Sequence, residues 1–275
     1  MQTYPKTIAE IAEQCRQAQA GADTYTGDDG LLHCAYCNAP RQAIIEICGR
    51  KEKVSCACKC EEKNYAQKED DKKREQLAQA RGRAFPAGAM KNWTFEHDDG
   101  TDAKISNAMR QYAGQFKEFY KNNIGVLLYG AVGTGKTFYA ACVVNAVIEQ
   151  GYSAKMTNFS RVLNMLQNTN ERQTYIDELC NYQLLVIDDL GVERQSQYAM
   201  EQVYNVIDTR YETRKPLIIT TNLSLSELTG CTDTERARIY DRVMSMCHPV
   251  EIKGGSRRMA SVKGRFNEIN ARLGL

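Results

Sequence analysis

Residues 130–137 read Gly-Ala-Val-Gly-Thr-Gly-Lys-Thr, and this octapeptide constrains the fold more tightly than any other stretch of the chain. The spacing G-x-x-x-x-G-K-[ST] carries its chemistry only when a buried strand enters the loop and a helix leaves it. Glycines let the backbone curl around an anion and turn its N–H groups inward, and the following helix aims its positive end at the same point. Lys136 can then reach the β- and γ-phosphates of a nucleotide, and Thr137 offers a hydroxyl to Mg²⁺. Both flanks meet the condition. Ile124–Tyr129 is a compact apolar run, and Phe138–Ile148 is a long apolar helical stretch stopped by Gly151. Gly130, Ala131, Val132, Gly133, Thr134, Gly135, Lys136, Thr137 and Phe138 are therefore the expected nucleotide-binding residues, with ATP and Mg²⁺ as ligands.

Such a loop needs a carboxylate at the end of another buried strand. Leu184-Leu185-Val186-Ile187-Asp188-Asp189 has that pattern. Asp188 is expected to face Mg²⁺ from a neighbouring strand, and Asp189 to orient or activate the attacking water. Two adjacent carboxylates after four apolar residues are costly unless a cation compensates them. Leu217–Thr221 is a third buried strand, and Asn222 at its tip could contact the γ-phosphate or the water. Strand-like runs alternate with helical patterns: a helix over Ile105–Tyr120, a strand over Ser153–Thr157, a helix over Phe159–Leu166, and another marked by Met200, Val203, Tyr204, Ile207 and Tyr211. This alternation predicts an α/β domain over residues 90–275, with a parallel sheet covered by helices on both sides.

The N-terminal part has a different texture. Ile8, Ile11, Ala12 and Cys15 fall at helical spacing. Of eleven cysteines, Cys34, Cys37, Cys48, Cys56, Cys58 and Cys60 crowd into one short segment. Between them, Ala43–Ile47 and Lys53–Ser55 look like two short strands flanking Gly49. Four thiolates around Zn²⁺ make a closed structural site and stabilise a segment too small to build its own core. Five thiols (Cys34, Cys37, Cys56, Cys58 and Cys60) compete for the four positions. Residues 61–83 are dense in charge and suit a solvated helix. The expected organisation is a zinc-binding domain over 1–65, a charged helical linker over 66–89 and the nucleotide-binding domain over 90–275.

The formal net charge is only +2, so any nucleic-acid surface must be local. Lys253, Arg257, Arg258, Lys263, Arg265 and Arg272 form a basic C-terminal stretch able to track phosphates. No apolar run is long enough to span a membrane, and the polar start lacks the apolar stretch of a secretion signal. Clustered and scattered thiols without a signal suit the cytoplasm.

The order of these motifs resembles the AAA+ ATPases. More narrowly, the chain from about Trp93 onward is similar to DnaC/DnaI-type replicative helicase loaders and the related IstB-type transposase helper ATPases. The residues that carry the resemblance are Gly130–Thr137, Leu185–Gly191, Pro216–Asn222, Tyr240-Asp241-Arg242 and Gly255-Ser256-Arg257-Arg258. It implies a P-loop AAA+ three-layer sandwich with ATPase activity. Asn222 matches the first sensor position, Arg258 the second, and Arg242 an arginine finger that completes a neighbouring subunit's site. Related loader-like sequences ending in Cys-Lys-Cys imply Cys34, Cys37, Cys58 and Cys60 as the zinc ligands, with Cys56 or His33 as substitutes. The family implies an ATP-dependent helicase loader in DNA replication initiation. Its expected partners are the replicative helicase, single-stranded DNA and further copies of itself. A transposase helper on duplex DNA and an adaptor with little hydrolysis are the alternatives. Many AAA+ proteins have Asp-Glu where this chain has Asp188-Asp189, and the shorter carboxylate implies slow turnover. Little chain follows Arg258, so little room is expected for the helical lid domain that many AAA+ proteins carry.

Overall fold

The computed structural model describes residues 23–47, 49–85, 88–191 and 196–273, less some side chains after Met259, Lys263 among them. The helix expected around Ile8–Cys15, and Cys48, lie outside the described residues. The chain divides into two compact units between Gln76 and Leu77.

The first unit is built from two hairpins. Strands β1 (Thr24–Thr26) and β2 (Leu32–Cys34) pair antiparallel, as do β3 (Gln42–Ile47) and β4 (Arg50–Ser55). Helix α1 (Lys59–Ala84) starts directly after them and runs 26 residues, about 39 Å, across the junction expected at residue 65 and past the unit division. Its sequence is too polar to bury a face, and nearly all of it within this unit is exposed. Among the described residues of this unit, only Cys34 and Cys58 are buried. A hairpin pair with no apolar interior cannot stand on the hydrophobic effect alone.

The second unit opens with short 3-10 turns at Gly88–Asn92 and Phe95–His97. Helices α2 (Ala103–Gly114) and α3 (Phe116–Lys121) follow. The single helix expected over Ile105–Tyr120 is thus two. Gln115 leaves helical geometry after Gly114, whose residue type favours helix least apart from proline. The break lets Phe116 bury completely against Tyr152, with ring centroids 4.9 Å apart. The rest alternates: β5 (Gly125–Tyr129), α4 (Lys136–Glu149), β6 (Ala154–Asn158), α5 (Phe159–Asn168), α6 (Arg172–Asn181), β7 (Leu184–Leu190), α7 (Gln197–Glu212), β8 (Leu217–Thr221), α8 (Leu225–Thr229), α9 (Thr234–Met246), β9 (Cys247–Glu251) and α10 (Arg257–Leu273).

The last five strands form one sheet in the order β6-β7-β8-β5-β9, every pairing parallel. Side chains alternate between its faces, as strand geometry requires. Val126, Leu128, Val186 and Ile218 join one core with Val143, Val144 and Val147 of α4. Leu127, Leu185, Ile187 and Ile219 join the other with Val162 of α5, Leu179 of α6 and Val203 and Ile207 of α7. This is the three-layer α/β architecture. Helix α6 and strand β9 escaped the sequence reading. Only Ile176, Leu179 and Cys180 of α6 are buried, too few to give a clear period. Strand β9 carries Pro249, which a sheet accepts at an edge, and β9 is the edge beside β5.

Candidate functional site

Strand β8 lies between β5 and β7, so the acid-bearing strand is two positions from the phosphate loop and not its neighbour, as expected from sequence. The loop closes tightly on the C-terminal segment. Gly130 has φ +139°, and any side chain there would collide with Ile252 O. Gly133 has φ +83° and sits against Ser256, while Arg257 N donates to Gly133 O at 2.9 Å. Lys136, almost fully buried, donates from Nζ to Gly130 O at 2.8 Å and Ala131 O at 2.7 Å. Burial lowers its pKa, and the charges of Asp189 and Asp188 oppose that shift.

Thr137 Oγ1 donates to Asp188 Oδ1 at 2.9 Å, which joins the loop to β7. Burial pushes the Asp188 carboxyl up from its ordinary value. Hydroxyl bonds from Thr220 and Thr137 pull it down, and Asp189 pushes it up again. A buried carboxylate with an acid neighbour and a threonine hydroxyl is a set of hard oxygen donors. It fits a divalent cation that keeps several of its waters.

A cavity of about 540 Å³ opens over the loop. Val132, Gly133, Gly135, Lys136, Thr137, Phe138, Asp189, Asn222 and Arg258 line it, all of them residues singled out from sequence. Trp93, His97, Asp99, Arg257, Val262 and Arg265 line it as well, and sequence reasoning did not assign them there. The available signal was weak: Trp93 is the chain's single tryptophan, in a stretch punctuated by Pro86 and Gly88. Arg257 spans the gap between segments. Its Nη1 lies 3.0 Å from Asp99 Oδ1 and 3.6 Å from Asp98 Oδ1, and its Nη2 donates to Tyr139 Oη at 3.1 Å. Arg257, Arg258 and Arg265 of the basic stretch thus border the nucleotide cavity, while Lys253 pairs with Glu251 at 3.3 Å. Arg242 is not brought to the cavity. It lies on α9, with Nε 3.0 Å from Asp208 Oδ1 and its guanidinium 4.4 Å from the centre of the Tyr211 ring.

In the first unit the Sγ atoms of Cys34, Cys37, Cys58 and Cys60 all lie within 4.8 Å of one another. A turn closed by Cys34 N donating to Ala39 O and Asn38 N donating to Cys34 O presents the first pair. The start of α1 presents the second, where Glu62 N donates to Cys58 O. The Ala39 N–H, and then the Cys60 thiol, pull the Cys37 thiol down to about 7; Cys37 in turn pushes Cys60 up to about 11. Tetrahedral Zn–S bonds of about 2.3 Å put sulfurs roughly 3.8 Å apart, so this donor set fits Zn²⁺. Cys56 lies outside the group and donates to Pro40 O at 3.3 Å. His33 bonds Asp29 and Asn38 O.

A parallel sheet in this strand order, with a phosphate loop after β5 and an acid pair at the end of β7, defines a P-loop ATP-binding protein of the AAA+ type. The chain belongs to the IstB-like ATP-binding protein family, whose model matches residues 51–263. Its relatives include two replicative helicase loaders. DnaI of Bacillus subtilis is 26% identical over 181 residues, and DnaC of Escherichia coli K12 is 28% identical over 123 residues. These matches cover 60% and 42% of this chain, but only 58% and 50% of the loaders' own length. An insertion-sequence ATP-binding protein of Mycobacterium tuberculosis is 27% identical over 206 residues, covering 73% of this chain and 82% of that one. Among solved structures, the crystal structure of DnaI superposes with a TM-score of 0.55 at 21% identity, over 65% of this chain and 98% of that one. That of the DnaC helicase loader gives 0.51 at 23%, over 61% and 100%. The chain's relatives thus include both helicase loaders and insertion-sequence ATP-binding proteins. No described helix is long and apolar enough to cross a membrane.

Proposed function

We propose that this protein is an ATP-dependent loader of a replicative DNA helicase, acting when DNA replication begins. The observation that carries the reading is the pairing of a four-thiol unit with an ATP-binding domain similar to two replicative helicase loaders. In this reading residues 1–65 bind zinc and grip the helicase, 66–89 are a helical linker, and 90–275 bind ATP and single-stranded DNA. Cys34, Cys37, Cys58 and Cys60 would hold the zinc, which supplies structure and no chemistry.

The loop amides of residues 130–138 and the Lys136 ammonium bind the phosphates. Thr137 and Asp188 would hold Mg²⁺, which neutralises charge on the β- and γ-oxygens. Asp189 orients a water and accepts its proton as the water oxygen attacks the γ-phosphorus. The bond from that phosphorus to the bridging oxygen breaks, leaving ADP and phosphate. Asn222 and Arg258 steady the γ-phosphate from the cavity wall. Arg242 of each copy completes the cavity of the next, so hydrolysis depends on assembly. The short Asp189 carboxylate makes turnover slow, as suits a switch.

The longer match to the insertion-sequence protein favours one other reading: a transposase helper acting on duplex DNA. Co-precipitation of the full-length protein with purified replicative helicases, with and without ATP, decides. Retention of a helicase, together with tighter binding to single strands than to duplex, supports the loader. Failure to retain any helicase, with duplex DNA preferred, would replace it by the transposase helper.

A further inference from the structure

Strands alternate their side chains, so adjacent residues such as Asp188 and Asp189 should leave β7 on opposite sides. Here both reach the nucleotide cavity: Asp188 bonds Thr137, which lines it, and Asp189 lines it directly. The β7–β8 register explains this. It runs Leu185↔Leu217, Val186↔Ile218, Ile187↔Ile219, then resumes at Leu190↔Thr221. Asp188 and Asp189 together oppose Thr220, which makes a bulge, and bulges re-aim side chains beside active sites. Asp189 takes φ +58° there, a conformation uncommon for any residue but glycine.

The hydroxyl of Thr220 ties this bulge at both residues. Asp189 N donates to Thr220 Oγ1 at 2.9 Å, and Thr220 Oγ1 donates to Asp188 Oδ1 at 2.6 Å. The roles are fixed, because an amide can only donate and the hydroxyl has a single hydrogen to give. Thr220 is fully buried, so no water can take either place without opening the sheet. One oxygen on β8 therefore holds both residues of the bulge, and it shares Asp188 Oδ1 with the Thr137 hydroxyl of the phosphate loop.

We propose that Thr220 is a positioning residue of the hydrolytic site, which holds Asp188 and Asp189 in register with the phosphate loop through its hydroxyl. Thr220 is not among the residues that line the cavity, so it acts through Asp188 and Asp189. The inference rests on the ATPase reading of this site.

The test compares the full-length wild type with Thr220→Val, which keeps the shape and loses the hydroxyl, and Thr220→Ser, which keeps the hydroxyl. We measure nucleotide affinity with and without Mg²⁺, the Mg²⁺ concentration for half-maximal turnover, and kcat and KM for ATP. For Thr220→Val we expect affinity in EDTA within about twofold of wild type, a kcat lower by about 10–100-fold, and a raised Mg²⁺ requirement, as for losses of residues that orient metal ligands. Thr220→Ser should restore most of both. If Thr220→Val does not fold, Thr220→Ala is read in the same assays. An active wild type with Val turnover and Mg²⁺ requirement unchanged overturns the proposal, as does a loss that Ser does not restore. A wild type without turnover counts against the ATPase reading instead. In that case the gain in nucleotide affinity on adding Mg²⁺ decides: its loss in Val alone supports the role of Thr220, and its retention refutes it.

Discussion

Arg210 sits in the last turn of α7 with no exposed surface. Its Nη1 donates to Cys180 O and Tyr182 O, both at 2.6 Å, and its Nη2 to Gln183 O at 3.2 Å and to Pro216 O. These carbonyls belong to the end of α6 and to the turns that lead into β7 and β8. Burial lowers its pKa to about 10, so it stays protonated at neutral pH. Arg210→Met fills most of the space but removes a donor from four carbonyls, of which Pro216 O keeps Leu185 N at 3.4 Å. Bonds to a charged group contribute roughly 1.5–3 kcal/mol each, but they act as a unit here and the guanidinium's own desolvation offsets part of the gain. Nε also finds no partner among the described residues, which lowers the total further. We expect a net loss of about 3–5 kcal/mol, since stranded buried carbonyls cost about 1–3 kcal/mol each and partly relax. For a domain of this size that is a fall in Tm of roughly 10 °C, read by calorimetry or circular dichroism. Arg210→Lys, which keeps the charge but loses the planar fork, should fall between. A Tm for Arg210→Met within about 3 °C of wild type would refute the idea that one side chain fastens the entries to both site-bearing strands.

Lys136→Ala should abolish binding of a fluorescent ATP analogue while leaving Tm within a few degrees; retained binding would place the nucleotide elsewhere. Chelation of bound metal, or Cys58→Ser, should cost hydrogen-exchange protection across residues 23–60 and leave residues 88–270 protected, because among the described residues of the first unit only Cys34 and Cys58 are buried. Equal protection with and without metal would remove zinc as its organiser. Arg242→Ala should bind ATP normally but lose about 10³-fold or more in turnover under assembling conditions. Mixing it with Lys136→Ala should recover some activity, since each copy supplies what the other lacks; a mixture as inactive as its parts would argue against a finger in trans.

The central strands β5, β7 and β8 were legible because each is a continuous apolar run, and the phosphate loop because glycine, lysine and threonine at fixed spacing have few other uses. Three features were not legible for one shared reason. Arg210 falls at helical spacing from Val203, Val206 and Ile207 on the buried face, but an arginine inside an apolar stripe reads as surface until the carbonyls beneath it are known. Arg257 and Arg265 read as part of a basic tail, because nothing local shows that the helix they sit on returns to the phosphate loop. Thr220 is the sharpest case. A β-branched residue in Leu217–Thr221 is already explained by strand preference, so its hydroxyl draws no notice. Only the pairing of β8 between β5 and β7 places that hydroxyl against the Asp188 carboxylate and the Asp189 amide, 32 and 31 positions earlier. The motifs mark where charge collects, while the groups that aim it sit on strands whose neighbours the sequence does not name. Mutating the marked residues therefore tests whether nucleotide binds, and mutating Thr220 tests how the bound state becomes competent to react.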